Sequence, residues 1–162
     1  MSQASRPPSL DPVAAARWQA MPCDGSASPW LHEEVARRME ERLEFIRLQP
    51  KSWVCWNPIR AGLNVLALLQ KRYPQAIGHL SADRQHEMVW VQANASAPWW
   101  KPSTWFQSKL KTEALKPHSM DMVWANMLLH QAADPQASLA EWHRVLAVDG
   151  FLMFSCLGPD TL

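Results

Sequence analysis

Histidine and cysteine are the side chains of this sequence that could carry acid–base, nucleophilic or metal chemistry. There are six histidines and three cysteines, and none of them shows the spacing of a zinc site, so we expect no metal site. His130 is the candidate general base, because it follows Asn126 by one helical turn near the predicted end of a strand. No acidic residue stands directly beside His130 to orient its ring.

Tryptophan is the most unusual part of the composition, with ten residues among 162. Trp99, Trp100 and Trp105 lie with two lysines in and next to an irregular stretch, residues 96–106. Such a cluster could stack a nucleobase or an acyl chain, form a partner surface, or pack a long loop over the sheet. Packing is the simplest interpretation, and the net charge of +1 gives no electrostatic reason to expect nucleic acid or an anionic membrane.

The C-terminal third must position these groups, and it has the pattern of a strand, a helix and a strand. Residues 120–124 and 151–157 are short apolar runs, and Asp134-Pro135 between them starts an amphipathic helix. The first strand is too buried and the connection too long for a hairpin. A right-handed parallel crossover is therefore predicted.

The upstream sequence alternates between strand and helix patterns. Asp11-Pro12 predicts a short helix, and a long amphipathic helix is predicted over 29–48. The alternation predicts an α/β fold with a parallel sheet of about five strands and helices on both faces. The remaining predicted elements are strands at 52–56, 77–80 and 107–111 and helices at 60–72 and 81–93.

Length and composition fit one ordinary globular domain, with 48% hydrophobic and 19% charged residues. We expect residues 1–28 to form a mobile segment with a short helix and residues 29–162 to form the domain. The cysteines are odd in number and widely spaced, and the N-terminus shows no signal peptide. The thiols are therefore expected to be reduced in a cytoplasmic protein. No apolar run has the length of a membrane span.

Several segments resemble a known enzyme family. They include residues 119–126, the helix start at Asp134-Pro135, residues 139–146 ending in Arg-Val-Leu, Asp149-Gly150, and the block FSCLGPDTL at 154–162. On these residues the chain resembles the class I S-adenosylmethionine-dependent methyltransferases. Within that superfamily it is most similar to the malonyl-acyl carrier protein O-methyltransferases of biotin synthesis. The resemblance implies a Rossmann-like fold and S-adenosylmethionine as cofactor.

The resemblance also implies where the cofactor contacts should lie. The family carries a glycine-rich turn after the first strand, whereas residues 53–62 of this chain have Gly62 as their one glycine and Asn57 inside the turn. His79 stands where the family has an acidic residue for the ribose, and Lys111-Thr112 where it has one for adenine. Asn126 is the position that borders the acceptor pocket, although it could equally cap the next turn. The cofactor-binding candidates are thus Asn57, Gly62, His79 and Asn126.

The family normally continues beyond GPDTL with a helix and two further strands, which this chain lacks. We therefore expect a truncated sheet with an apolar edge at residues 151–157. A second copy, a partner or the N-terminal segment should cover that edge.

Three functions remain open at this stage. The first is a methyltransferase-fold protein that has lost cofactor binding and has a non-catalytic or scaffold role. The second is an active S-adenosylmethionine-dependent methyltransferase with a divergent pocket, which acts on a carboxylate bound to an acyl carrier protein. The third is a module that binds an acyl carrier protein or another protein.

Overall fold

A computed structural model describes residues 10–21, 29–82, 87, 89, 110–111 and 114–158 of the chain. The strands of this part are β1 Ser52–Trp56, β2 Ile77–Ser81, β3 Leu110–Lys111, β4 Met120–Ala125 and β5 Leu146–Phe154. The α-helices are α1 Pro12–Ala20, α2 Trp30–Arg42, α3 Pro58–Ala61, α4 Asn64–Arg72 and α5 Pro135–Val145. Two short 3-10 helices lie at Leu43–Phe45 and Leu129–Gln131.

The five strands form one parallel sheet in the order β3-β2-β1-β4-β5. This confirms the predicted Rossmann-like α/β class and the parallel crossover between β4 and β5. The chain builds outward from β1 to β3 and then returns to the other side of β1 as β4. The strand order therefore reverses between β1 and β4, which is where open parallel sheets of this kind bind ligands.

Both faces of the sheet are covered, which is why β1 is apolar at nearly every position. Trp53 and Cys55 point to one face, where they pack with residues of α2 and α4. Val54 and Trp56 point to the other face, where they pack with Trp142 and other residues of α5. Helices on both faces were predicted, and the structure confirms them.

Two predicted helices are shorter than expected. The helix predicted over 29–48 ends at Arg42 and tightens into the 3-10 turn Leu43–Phe45, because Leu43 is buried there and the following chain is extended toward Pro50. The helix predicted over 60–72 is divided into α3 and α4. Gly62 lies between them with φ +105°, a backbone conformation that no helix contains.

The last strand begins five residues earlier than predicted. Leu146 already pairs with Met120, and the register then shifts before Phe151 pairs with Met122. Asp149 has φ +64° within this irregularity, and a Cβ on Gly150 would lie 2.9 Å from the carbonyl oxygen of Ala147. The Asp149-Gly150 signal thus marks a bulge inside the strand instead of a turn before it.

The strands predicted at 52–56, 77–80 and 120–124 are confirmed to within one residue. The helix predicted at Asp11-Pro12 is α1, and the Asp11 carboxylate accepts a hydrogen bond from the Ala14 N–H at 2.8 Å. The loop 96–106, residues 107–109 of the predicted third strand and most of the helix predicted over 81–93 lie outside the described residues. No helix of the described part is long and apolar enough to cross a membrane.

Candidate functional site

A cavity of about 380 Å³ opens at the carboxyl edge of the sheet, where the strand order reverses. It lies between the connection from β1 to α3 and the connection from β4 to α5, and α1 borders it as well. Its wall includes Trp18, Trp56, Asn57, Arg60, Gln131 and Glu141. With Trp142, which also lines it, three indole rings, two amides and charged groups of both signs meet at one site.

The turn after β1 directs side chains into the protein. Asn57 adopts a left-handed conformation with φ +46°, which asparagine tolerates better than most residues. Its N–H donates to the Ser81 carbonyl at 2.7 Å, and its carbonyl accepts from Arg60 and Ala61. Pro58 and Ile59 are both buried, so the backbone of this turn is covered by its own side chains.

Trp56 closes the inner end of the cavity together with Trp142 of α5. The two indoles meet edge to face, with ring centroids 6.4 Å apart and an interplanar angle of 66°. Both rings are almost fully buried. The last residue of β1 is therefore part of the packing between sheet and helix and cannot leave the cavity without disturbing α5.

Arg60 extends from α3 and forms a buried ion pair with Glu87. Its Nε donates to the Glu87 Oε1 at 2.9 Å, and the two side chains are only 11% and 1% exposed. A second guanidinium nitrogen donates to the Met21 carbonyl at 3.2 Å. Sequence reasoning missed this pair, because the partners are 27 residues apart and Glu87 belongs to a stretch with only a weak helical pattern.

Gly62 lies where α2 approaches the start of α4 closely. A Cβ at this position would lie 3.1 Å from the Oε2 atom of Glu33 on α2, and φ is +105°. The same Glu33 carboxylate accepts a hydrogen bond from the Asn64 N–H at 3.2 Å and so caps α4. Glycine here lets α2 approach the start of α4.

His79 lies inside β2 and not at its end. It pairs with Val54 on one side and Lys111 on the other. The strand continues to Ser81, which is the residue level with Trp56. His79 therefore stands two residues before the edge at which the cavity opens, and Lys111, the last residue of β3, stands beside it.

Asn126 is fully buried and connects three parts of the chain. Its side-chain amide donates to the carbonyl of His32 at 2.8 Å and to the carbonyl of Ala61. Its Oδ1 accepts from the Ser155 hydroxyl at 2.7 Å, and that hydroxyl in turn accepts from the Met127 N–H. The side chain thus holds α2, α3 and the segment after β5 together.

His130 lies in the 3-10 turn after β4, and the wall of the cavity includes its neighbour Gln131 instead. Its Nδ1 faces the Leu157 N–H at 3.4 Å, and its Nε2 is 3.3 Å from the Gln131 Nε2. Burial, assisted by the electrostatic influence of the nearby His32, lowers the pKa of His130 from its ordinary value. The ring is therefore neutral near pH 7, and no carboxylate in the described residues bonds to it.

The remaining candidates add no metal site to this arrangement. The described part of the chain contains no group of three or more histidine, cysteine, aspartate or glutamate side chains that could hold an ion. Cys55 is fully buried, and burial raises the pKa of its thiol, so it is inert packing.

Residues 61–154 match the protein-family model described as a methyltransferase domain, and the chain belongs to this family. The match runs from the end of α3 to the last residue of β5. It includes β4, which flanks the reversal point, together with Ala61 and Asn126, whereas β1 lies before its first residue. The fold and the predicted family resemblance are thereby confirmed.

Curated relatives carry one name. The chain is 36% identical over 148 residues to the malonyl-[acyl-carrier protein] O-methyltransferase of Gallionella capsiferriformans. The matched region covers 84% of this chain and 48% of that protein. It is 36% identical over 142 residues to the protein of the same name from Laribacter hongkongensis, covering 82% and 46%. A Coxiella burnetii relative, named as form 1, is 30% identical over 129 residues, covering 79% and 41%. The chain spans about half the length of the curated relatives it matches.

Proposed function

We propose that this chain is a methyltransferase-fold protein in which S-adenosylmethionine binding is lost or impaired, and that its role is non-catalytic or that of a scaffold. The observation that carries the proposal is the buried ion pair between Arg60 and Glu87 at the carboxyl edge of the sheet. Arg60 belongs to residues 53–62, which the family resemblance equates with the glycine-rich segment. A long charged side chain and its partner thus occupy space beside a turn that normally leaves backbone bare.

Two further features support the same proposal. A cofactor that approaches the backbone after the first strand needs small residues there, and Trp56, Pro58 and Ile59 are instead buried side chains. At the end of β2, where the family has an acidic residue for the ribose, Ser81 stands level with Trp56, and its hydroxyl lacks the bidentate geometry of a carboxylate.

The ion pair also raises the free-energy cost of admitting a ligand that has to displace Glu87. Displacing Glu87 from Arg60 would leave a buried charge without its partner, which costs about 3–5 kcal/mol in proteins. If S-adenosylmethionine had to displace Glu87, this cost would be subtracted from its binding free energy. The affinity for the cofactor would then be weaker by roughly a hundredfold or more, since each 1.4 kcal/mol is tenfold.

The direct test is calorimetric titration of the protein with S-adenosylmethionine and, separately, S-adenosylhomocysteine. We expect no heat of binding and no thermal shift at concentrations where an intact family site would be saturated. A ligand at a hundred times its dissociation constant stabilises by about 2.7 kcal/mol, so binding is easy to see. Micromolar affinity for either compound contradicts the proposal.

A paired variant tests the cause. Arg60→Gly combined with Glu87→Gln removes both charges together, so neither is left buried alone, and it should restore measurable cofactor affinity. The matched control is Arg72→Gln with Glu40→Gln, because that ion pair is also partly buried but joins α4 to α2 away from the cavity. The Arg60→Gly/Glu87→Gln variant could bind S-adenosylmethionine no more tightly than the control variant does. In that case, replacing residues 56–59 by a glycine-rich turn tests whether the side chains of the turn block the cofactor.

A second candidate is an active S-adenosylmethionine-dependent methyltransferase with a divergent pocket, which acts on a carboxylate carried by an acyl carrier protein. The cavity of about 380 Å³ that stays open at the reversal point favours it, as do the names of the two relatives that are 36% identical. Transfer of a labelled methyl group from S-adenosylmethionine to malonyl-acyl carrier protein would select this candidate. The Gallionella relative serves as the positive control.

A third candidate is a module in the cytoplasm that binds an acyl carrier protein or a second copy of itself through β5. Within the described sheet β5 is an edge strand, and Val148 on it is 86% exposed. Such an edge presents unpaired backbone groups to a partner. Light scattering coupled to size exclusion, with and without acyl carrier protein, measures this, and a monomer that binds no carrier removes the candidate.

A further inference from the structure

Helix α1 lies across the cavity and is bonded to both of its sides. The indole N–H of Trp18 donates to the Oε1 atom of Gln131, in the connection after β4, at 3.0 Å. At the end of the helix, the carbonyl of Met21 accepts from the guanidinium of Arg60, in the connection after β1, at 3.2 Å. One short helix therefore spans the two connections that border the reversal point of the sheet.

The described side chains of α1 are mostly exposed. Ala15 is its buried residue among the side chains described there, whereas Val13, Trp18 and Met21 are about half exposed. A helix of nine residues is too short to be stable alone in water. Among the described residues, the two hydrogen bonds and the contact of Ala15 hold the helix in this position.

Both bonds can break without leaving a buried group unpaired. Arg60 keeps its ion pair with Glu87 when the Met21 carbonyl departs. Gln131 keeps the hydrogen bond from its Nε2 to the Met127 carbonyl when the Trp18 indole departs. The cavity wall thus has its own supports, and release of α1 exposes no uncompensated charge.

We propose that α1 is a displaceable strap over the cavity, which opens by breaking these two bonds while the sheet stays folded. Trp18, which is part of the cavity wall, moves with the helix and widens access from that side. The strap controls entry of any small molecule to this cavity, so the inference stands whether or not S-adenosylmethionine binds.

Hydrogen exchange followed by mass spectrometry tests the strap on the ligand-free protein. In the unmodified chain the amides of α1 should exchange at least about 100-fold faster than those of β1 and β4, because local opening precedes global unfolding. Trp18→Phe keeps a ring but removes the indole N–H, and it should speed exchange in α1 by about fivefold, the factor expected for one neutral hydrogen bond. Trp18→Ala should speed it further and also loosen residues 128–132.

Trp30→Ala is the control, because Trp30 is a highly exposed tryptophan of α2 that does not line the cavity. It should leave exchange in α1 unchanged. Exchange in α1 as slow as in β1, or an unchanged rate in Trp18→Phe, overturns the strap. Should Trp18→Ala accelerate β1 and β4 as much as α1, α1 is part of the cooperative fold and the proposal fails for that reason. None of these results depends on a cofactor titration.

Discussion

The two connections at the carboxyl edge of the sheet begin their helices in different ways. After β4, α5 begins with Asp134, whose carboxylate accepts from the Ala137 N–H at 3.1 Å, and with Pro135 in the first turn. After β1, α4 begins at Asn64 with no cap from its own segment, and the carboxylate that accepts its N–H belongs to Glu33 on α2. One helix start is supplied by neighbouring residues and the other by a residue 31 positions away.

This difference explains why one connection follows the sequence pattern and the other does not. Asp134-Pro135 is a complete local signal, and α5 begins where it was predicted. The connection after β1 needs a left-handed Asn57, a Gly62 with positive φ and a carboxylate from another helix.

The largest effect is expected where the two connections are joined. Asn126→Ala leaves the carbonyls of His32 and Ala61 and the Ser155 hydroxyl without this partner. At about 1 kcal/mol for each lost bond, the free energy of unfolding should fall by about 3 kcal/mol. Urea denaturation measures it, with Ser155→Ala for comparison, which removes two hydrogen bonds and is expected to cost about two thirds as much. Equal losses in the two variants would show that Asn126 does not join the connections.

Gly62→Ala tests the connection after β1. A φ of +105° is strained for any residue with a Cβ, and such strain costs about 2 kcal/mol. Adding Glu33→Ala separates the two causes. If the contact with the Glu33 carboxylate dominates, the double variant recovers stability relative to the sum of the single changes. If the backbone conformation dominates, the costs add.

Asp134→Ala tests the locally supplied helix start and should cost about 1 kcal/mol, the usual value of an N-cap. Asp134→Asn is the matched control, because asparagine caps equally well without the charge. Thermal denaturation of the three proteins compares them. If Asp134→Ala lost much more stability than Gly62→Ala does, the connection after β4 would depend more strongly on one residue than the connection after β1.

The smallest effect concerns pH and the loop after β4. Burial lowers the pKa of His130 from 6.5, so between the two values the unfolded chain binds more protons than the folded one. The stability that neutral His130 contributes is therefore complete above pH 6.5 and is lost as the pH falls through the folded pKa. His130→Gln should flatten the decline in unfolding free energy between about pH 7.5 and about pH 5.5. An identical decline in both proteins would assign the pH dependence to other groups.

Much of the fold was predictable because its signals are local or periodic. The apolar runs at 52–56 and 120–124 are β1 and β4, and alternation of strands with helices gave the parallel class. The errors share one cause. Leu146 extends β5 through a bulge and Gly62 interrupts a helical pattern, and both depend on contacts with distant backbone or side chains.

The site was less predictable for the same reason. The residues at 57, 62, 79 and 126 were identified from family positions, and the structure distributes them among different tasks. Asn57 borders the cavity, Gly62 accommodates Glu33, His79 lies within β2, and Asn126 holds segments together. Arg60, Glu87 and Trp18 were not identified, since no spacing rule relates residues 27 or more positions apart.

The sequence by itself determined the family, the parallel sheet and the start of α5, because apolar periodicity and capping act over a few residues. The tertiary structure alone decided what fills the edge between β1 and β4. There the folded chain brings Arg60 to Glu87 and Trp18 to Gln131. Their energies arise from burial and from partners far away in sequence, and these exist only after the chain has folded.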